Sequence, residues 1–249
     1  MSVVAVDRLA PARTRRGPVA RTVRHLLAVH LVLSAWFWGI GVVVLAAVVV
    51  VVDRFGSIQT SMVQYAQQAS MWFPFSLAVL TVSTALAPHV AAGMTRRSFA
   101  WATVTVAVVQ GVAYAAVTGV LLAVEGLVYR AQGWPHTVED SLLGWDGDGA
   151  RIAVHYLVLL VLAPLSGLLV GVGYYRAGGW WGTIALPLTA GPLLLVMTMF
   201  SVVTGPLDLG SSTVDGLAGS ALVGAVATIA VVLAYVRLAR GTTIKGPTA

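Results

Sequence analysis

The chain has 249 residues, of which 58% are hydrophobic and 10% charged, with a net charge of +6 and no cysteine. A soluble domain carries about 25% charged residues and has too little interior to bury this much apolar side chain, so a water-soluble globular domain is excluded. The lack of cysteine removes disulfides, thiolate catalysis and cysteine metal sites.

Residues 1–17 contain arginine and proline, and are expected to be a disordered basic tail. Over 18–27, Val19, Val23, Leu26 and Leu27 fall on one side of a helix and Arg21, Arg24 and His25 on the other. That pattern suits a helix lying in the membrane interface, or the snorkelling flank of the first span. The uncharged run 26–52 exceeds the roughly 7–15 residues of a signal h-region and ends in no small-x-small cleavage pattern, so it is expected to stay as a span. The stretch 57–70, SIQTSMVQYAQQAS, is polar but helix-spaced, with Met62, Tyr65, Ala66 and Ala69 on one face, and is expected outside the bilayer.

Residues 71–124 are nearly all apolar apart from His89, Arg96 and Arg97. As one helix they would be about 80 Å long, against a hydrocarbon core of about 30 Å. Burying both arginines in mid-bilayer would cost about 5–7 kcal/mol. Two spans, 71–92 and 99–124, avoid both problems, with a turn built by Gly93 and Thr95 and a helix end loosened by Pro88. The loop 125–151 carries Trp134, Pro135 and Trp145, suited to the headgroup layer. Further spans are expected at 152–173, 182–204 and 217–236, the fourth and fifth kinked by Pro164, Pro187 and Pro192. Small residues at four-residue spacing, Gly167 with Gly171 and then Gly216, Ser220 and Gly224, are expected at helix–helix contacts.

The expected fold class is therefore all-α: a polytopic integral membrane protein with six transmembrane helices in one domain, 18–240, and a short tail, 241–249. Charge sets its orientation. With the N-terminus in the cytoplasm, the inner side holds Arg8, Arg13, Arg15, Arg16, Arg21, Arg24, Arg96, Arg97, Arg176, Arg237, Arg240 and Lys245, against the single acid Asp7. The outer side holds Asp53, Glu125, Glu139, Asp140, Asp146, Asp148, Asp208 and Asp215, with only Arg54, Arg130 and Arg151. The positive-inside rule then places both termini in the cytoplasm. Orientation and anionic lipid explain the basic excess, so no nucleic-acid partner is expected.

Motifs for chemistry are mostly missing. The only lysine, Lys245, follows Ile244, so no ATP-binding loop of the G-x-x-x-x-G-K-[ST] type exists. DGDGAR, 146–151, is similar to part of the CDP-alcohol phosphotransferase signature, but Leu143 stands where an aspartate is needed and no further aspartate follows before Asp208. A calcium loop lacks its later ligands, and a flexible solvated turn is expected. An intramembrane serine protease of rhomboid-like type needs a histidine after its serine, whereas all five histidines (25, 30, 89, 136 and 155) precede Ser166. His30 and His155 are expected near opposite faces, and no ionisable group of a coupled carrier is expected at mid-depth, where Gln110 reads as helix glue. No enzyme activity, metal or cofactor is expected in this chain.

HVAAGMTRRSF resembles the first cytoplasmic loop of exporter-like ABC transporter permeases of the second type, whose small bacterial members often read ANGxTRRxFF. Gly93, Thr95, Arg96, Arg97 and Phe99 match in register. GYYRAGGWWG, 173–182, is similar to the turn between the fourth and fifth spans of such permeases, with Tyr175 and Arg176 at its centre. The resemblance implies a permease dimer, homo- or heterodimeric, in a bacterial cytoplasmic membrane, driven by a separate ABC ATPase subunit. It implies that Gly93, Met94, Thr95, Arg96, Arg97, Ser98 and Phe99 form the ATPase-coupling loop, with Met94 to Ser98 in contact and the arginines paired with ATPase carboxylates. The short loop 205–216 lacks the family's re-entrant helix. The other reading is a non-transport membrane protein: a scaffold, or an immunity or resistance factor.

Overall fold

Residues 42–52 read VVVLAAVVVVV, a β-branched run that in water would suit a buried strand. It is helical in the computed structural model, which describes residues 17–56, 58, 60–134, 149–200 and 217–243. In hydrocarbon each backbone N–H and C=O must find its partner within the segment, and this outweighs the low helix propensity of valine. Residues 1–16, 57, 59, 135–148, 201–216 and 244–249, and with them Trp145, the DGDGAR aspartates and Gly216, lie outside the described residues.

The elements are α1 Pro18–Phe55, α2 Val63–Ala91, α3 Arg96–Gln132, α4 Gly149–Ile184, α5 Leu186–Thr189, α6 Gly191–Phe200 and α7 Leu217–Arg240. Five helices, Val19–Phe55, Val63–Ala91, Arg96–Gln132, Ile152–Ile184 and Ala221–Arg240, are long and apolar enough to cross a bilayer. Their outward faces carry Trp36, Val43, Leu80, Val120, Leu222 and many more exposed apolar side chains. So wide an apolar exterior belongs in lipid, and the chain is a multi-pass membrane protein.

Three expectations need correction. Segment 18–27 is no separate interfacial helix; it continues into α1, whose 38 residues measure about 57 Å. In the polar stretch 57–70 the packed face is not Met62, Tyr65, Ala66 and Ala69: α2 begins at Val63 and buries Val63, Gln64, Gln67 and Ser70 while Tyr65 and Ala69 face out. The cause lies on α3, which runs past its expected span. There Glu125, buried, accepts hydrogen bonds from the Met62 N–H at 2.7 Å, the Val63 N–H at 3.0 Å and the Ser61 hydroxyl. A carboxylate satisfying the orphan donors of a helix start fixes where α2 begins and which face turns inward. Third, 182–204 is not one helix. The tail of α4 after Gly178, then α5 and α6, follow one another, with Pro187 in the first turn of α5 and Pro192 in the first turn of α6, each proline removing one backbone donor.

Contacts fix the helix directions. Phe37 of α1 stacks on Phe73 of α2 at 4.5 Å while His30 bonds Thr81, so α1 and α2 are antiparallel. Gly167 and Gly171 of α4 lie on Phe75 and Val79 of α2, so these two run parallel. Val158 meets Gly224 and Arg176 meets Leu238, so α4 and α7 also run parallel. The ends of α2, α4 and α7 therefore share one side with the starts of α1 and α3. That side collects Arg21, Arg24, Arg96, Arg97, Arg176, Arg237 and Arg240, and no acid among the described residues.

Helix α4 is the axis of the bundle: every residue from 162 to 172 is buried. Glycine makes this possible. A Cβ on Gly111 of α3 would stand 2.5 Å from the Leu160 carbonyl oxygen and the Val161 Cα. One on Gly167 would collide with the Phe75 carbonyl, and one on Gly171 would sit 3.0 Å from that of Val79. At Gly224 the neighbour is the Val158 side chain, 2.5 Å away. Ser220 lies on α7.

Candidate functional site

The arginine turn is four residues long. Helix α2 closes with Gly93 at φ 77°, where the Gly93 N–H reaches the Val90 carbonyl at 2.9 Å and the Met94 N–H reaches that of His89 at 3.3 Å. This paired closure needs a left-handed residue, which glycine supplies without strain. Thr95, extended, caps α3 by accepting from the Ser98 N–H at 3.1 Å. Ser98 returns its hydroxyl hydrogen to the Thr95 carbonyl at 2.7 Å, and its oxygen accepts from His89 Nε2 at 3.1 Å. The His89 ring meets Phe99 edge-on at 5.2 Å, and Phe99 is 1% exposed within the main core.

The matched residues thus divide into two groups. Gly93, Thr95, Ser98 and Phe99 build the turn, and Ser98 is turned inward. Arg97 is exposed, and Met94 and Arg96 are half-buried. Both arginines open α3, at the positive end of its dipole, with no acid in the first turn. Each such placement costs about 0.3–1 kcal/mol. Among the described acids, Glu125 lies about 44 Å along α3 from Arg96, and Asp53 ends α1 on the far side of the bundle. The turn is therefore rigid, basic and without an acidic partner among the described residues.

The second turn lies on the same side. Gly178, at φ 80°, reverses the chain directly after α4's long segment. Gly182 rests against the Tyr174 ring, where a Cβ would stand 2.6 Å from the nearest ring carbon. The Tyr174 hydroxyl donates to Thr183 at 3.0 Å, Thr183 having given its own hydrogen to the Gly179 carbonyl at 2.8 Å. Tyr175 packs against the core, and Arg176 donates from Nη1 at 2.9 Å to the Leu238 carbonyl at the end of α7, which also accepts the Thr242 hydroxyl at 2.7 Å. Arg176 is thereby a clamp between α4 and α7 as well as a surface charge.

Sequence reasoning missed a third feature. Where α1, α2 and α3 meet, His30 Nδ1 lies 2.9 Å from Gln110 Oε1 and Nε2 lies 3.0 Å from Thr81 Oγ1. The Gln110 amide donates to Ser34 at 3.4 Å, and Tyr114 donates to the same hydroxyl oxygen at 3.0 Å. Beside them is a cavity of about 10 Å³ lined by His30, Thr81, Thr103 and Gln110 together with Ala78, Val106, Ala107 and Leu168. Thr103 in turn bonds the Tyr235 hydroxyl of α7 at 2.7 Å. Gln110 lies about 21 Å along α3 from Arg96, and Thr81 about 15 Å along α2 from Ala91. His30 thus lies about 15–21 Å from the helix ends at the arginine turn, a distance of about half the thickness of a hydrocarbon core or somewhat more. The unbroken helical start of α1, which the sequence pattern left open, carries it there. His155 stands about 16 Å along α4 from Ser166, whose buried hydroxyl has no partner, so the two form no dyad.

Comparison with known proteins returns no matching family model, no matching curated protein and no matching solved structure.

Proposed function

We propose that the chain is the membrane-spanning subunit of an ATP-driven ABC transporter of exporter-like second type, working as a permease dimer in a bacterial cytoplasmic membrane. The observation that carries this reading is the arginine turn: a short, prebuilt connector presenting two guanidinium groups at an energetically unfavourable helix start. A partner's carboxylates would turn that cost into charge-assisted contacts. The contact surface is Gly93, Met94, Thr95, Arg96 and Arg97, with Ser98 and Phe99 as its internal support. A six-span plan with both termini inside fits the helix directions. Since α4 and α7 are parallel and end together, the chain between them must return across the bundle, and α5 and α6 lie on that path. The substrate class that suits an apolar exterior is hydrophobic or amphipathic.

The test is co-expression with an ATPase encoded beside this chain. Arg96→Glu with Arg97→Glu is expected to leave membrane insertion intact and abolish co-purification and stimulated ATP turnover. Unchanged assembly and turnover would overturn the reading. One observation favours the second reading, a non-transport scaffold, immunity or resistance factor: the apolar core around α4 leaves no polar passage among the described residues. Full biological function of the chain expressed without any ATPase would establish that alternative.

A further inference from the structure

We propose that the His30 junction is a proton-binding site inside the helix bundle, with Nε2 as the exchanging atom. The hydrogens available at the junction can be counted. The Gln110 oxygen faces Nδ1, and its amide nitrogen is committed to Ser34, so Nδ1 carries a hydrogen and donates it. Thr81 has one hydroxyl hydrogen, and the Leu77 carbonyl takes it at 2.7 Å. With that bond made, Thr81 can only accept at Nε2, which must then carry a hydrogen too. The heavy-atom positions accommodate an imidazolium with every donor satisfied.

The neutral ring also closes. When Nε2 gives up its proton to a water in the adjoining cavity, the water leaves as hydronium and the N–H bonding pair stays on nitrogen as a lone pair. The Thr81 hydroxyl then swings from Leu77 to donate to that lone pair. The Leu77 carbonyl keeps the α-helical bond of its own turn, so nothing is orphaned. A hydroxyl reverses from acceptor to donor by rotating its hydrogen, without moving its heavy atom. A cavity of about 10 Å³ is close to the smallest that holds a water, and its wall contains His30, Thr81, Thr103 and Gln110.

The surroundings leave the added charge to this network alone. The titratable groups that face the site are the Tyr114 phenol of α3, through Ser34, and the Tyr235 phenol of α7, through Thr103. Helix α2 contributes Thr81 and α4 contributes Leu168, neither of which titrates, and the nearest basic side chains on α1 are Arg24 and His25, about 8–9 Å nearer its start. Histidine is the side chain whose charge changes between about pH 5 and 8, so a single residue here gives the membrane domain a proton-dependent state. This holds for a permease or for any other membrane role, and its test is separate from the ATPase experiment.

The experiment is a pH titration from 4.5 to 9 of the full chain, ¹⁵N-histidine labelled, in lipid nanodiscs, with His30 assigned by backbone correlations. The expected result is that His30 passes from a doubly protonated ring to the neutral Nδ1–H form, with Nδ1–H retained throughout. In Thr81→Val the midpoint is expected to move to lower pH by about tenfold in proton concentration, because the charge-assisted bond lost is stronger than the neutral one. A His30 ring that keeps one protonation state over the whole range overturns the proposal, as does titration at an unshifted midpoint in Thr81→Val.

Discussion

Replacing Glu125 by alanine strips the acceptor from three donors at the start of α2. The Val63 N–H and the Ser61 hydroxyl are inaccessible to water, at 1% and 0% residue exposure, while Met62 is half-buried and can be hydrated. Each buried donor left without a partner costs about 1–3 kcal/mol, and the favourable carboxylate–dipole term, about 0.3–1 kcal/mol, is lost as well. These terms sum to about 2–7 kcal/mol, and the middle of that range, about 3–5 kcal/mol, is expected. Glu125→Gln keeps one carbonyl oxygen for the two main-chain donors, so about 1–2 kcal/mol is expected from it. At about 2–4 °C per kcal/mol for a chain of this size, the thermal midpoint in nanodiscs falls by about 6–20 °C in Glu125→Ala. Hydrogen exchange supplies the local reading, with amides 62–66 losing protection before those of 75–85. A midpoint within 2 °C of the parent, with protection over 62–66 unchanged, would refute the idea that a residue on α3 defines where α2 begins.

Gly111→Ala and Gly167→Ala press a methyl group against backbone of a facing helix, so each should destabilise the bundle by about 1–3 kcal/mol or more, read as thermal midpoint. Gly119→Ala, with open space at its Cβ, should be neutral or slightly stabilising on the same assay. Thr95→Ala removes the α3 cap and should cost about 1 kcal/mol. Thr103→Val and Tyr235→Phe should show a coupling of about 0.6 kcal/mol in a double-mutant cycle, since their hydroxyls bond each other between α3 and α7.

Much of the helical plan was legible because it rests on local pattern. Charge-free length marked the long helices, and the arginine pair forced a break between α2 and α3 that Gly93 and Thr95 build as their residue types suggest. What stayed hidden depends on partners distant in sequence. The start of α2 is decided by Glu125, more than 60 positions away. Gly111 was passed over because a four-residue series is read within one helix, whereas its reason is the backbone of Leu160 and Val161. His30 read as a residue near a face, because nothing local says that α1 is straight from Pro18 onward or that Thr81 and Gln110 wait at its depth. The stretch 182–204 was read as one kinked span, since the effect of two prolines five residues apart depends on how α5 and α6 pack against α4 and α6 against α7.

The most direct test of the account uses the absence of native cysteine, which makes a single Ala92→Cys on the exposed part of the arginine turn a clean probe. The measurement is labelling by a membrane-impermeant maleimide in intact cells, and in inverted vesicles with and without the ATPase. The account predicts no labelling in intact cells, labelling in inverted vesicles, and protection once the ATPase is bound. Labelling in intact cells would contradict it.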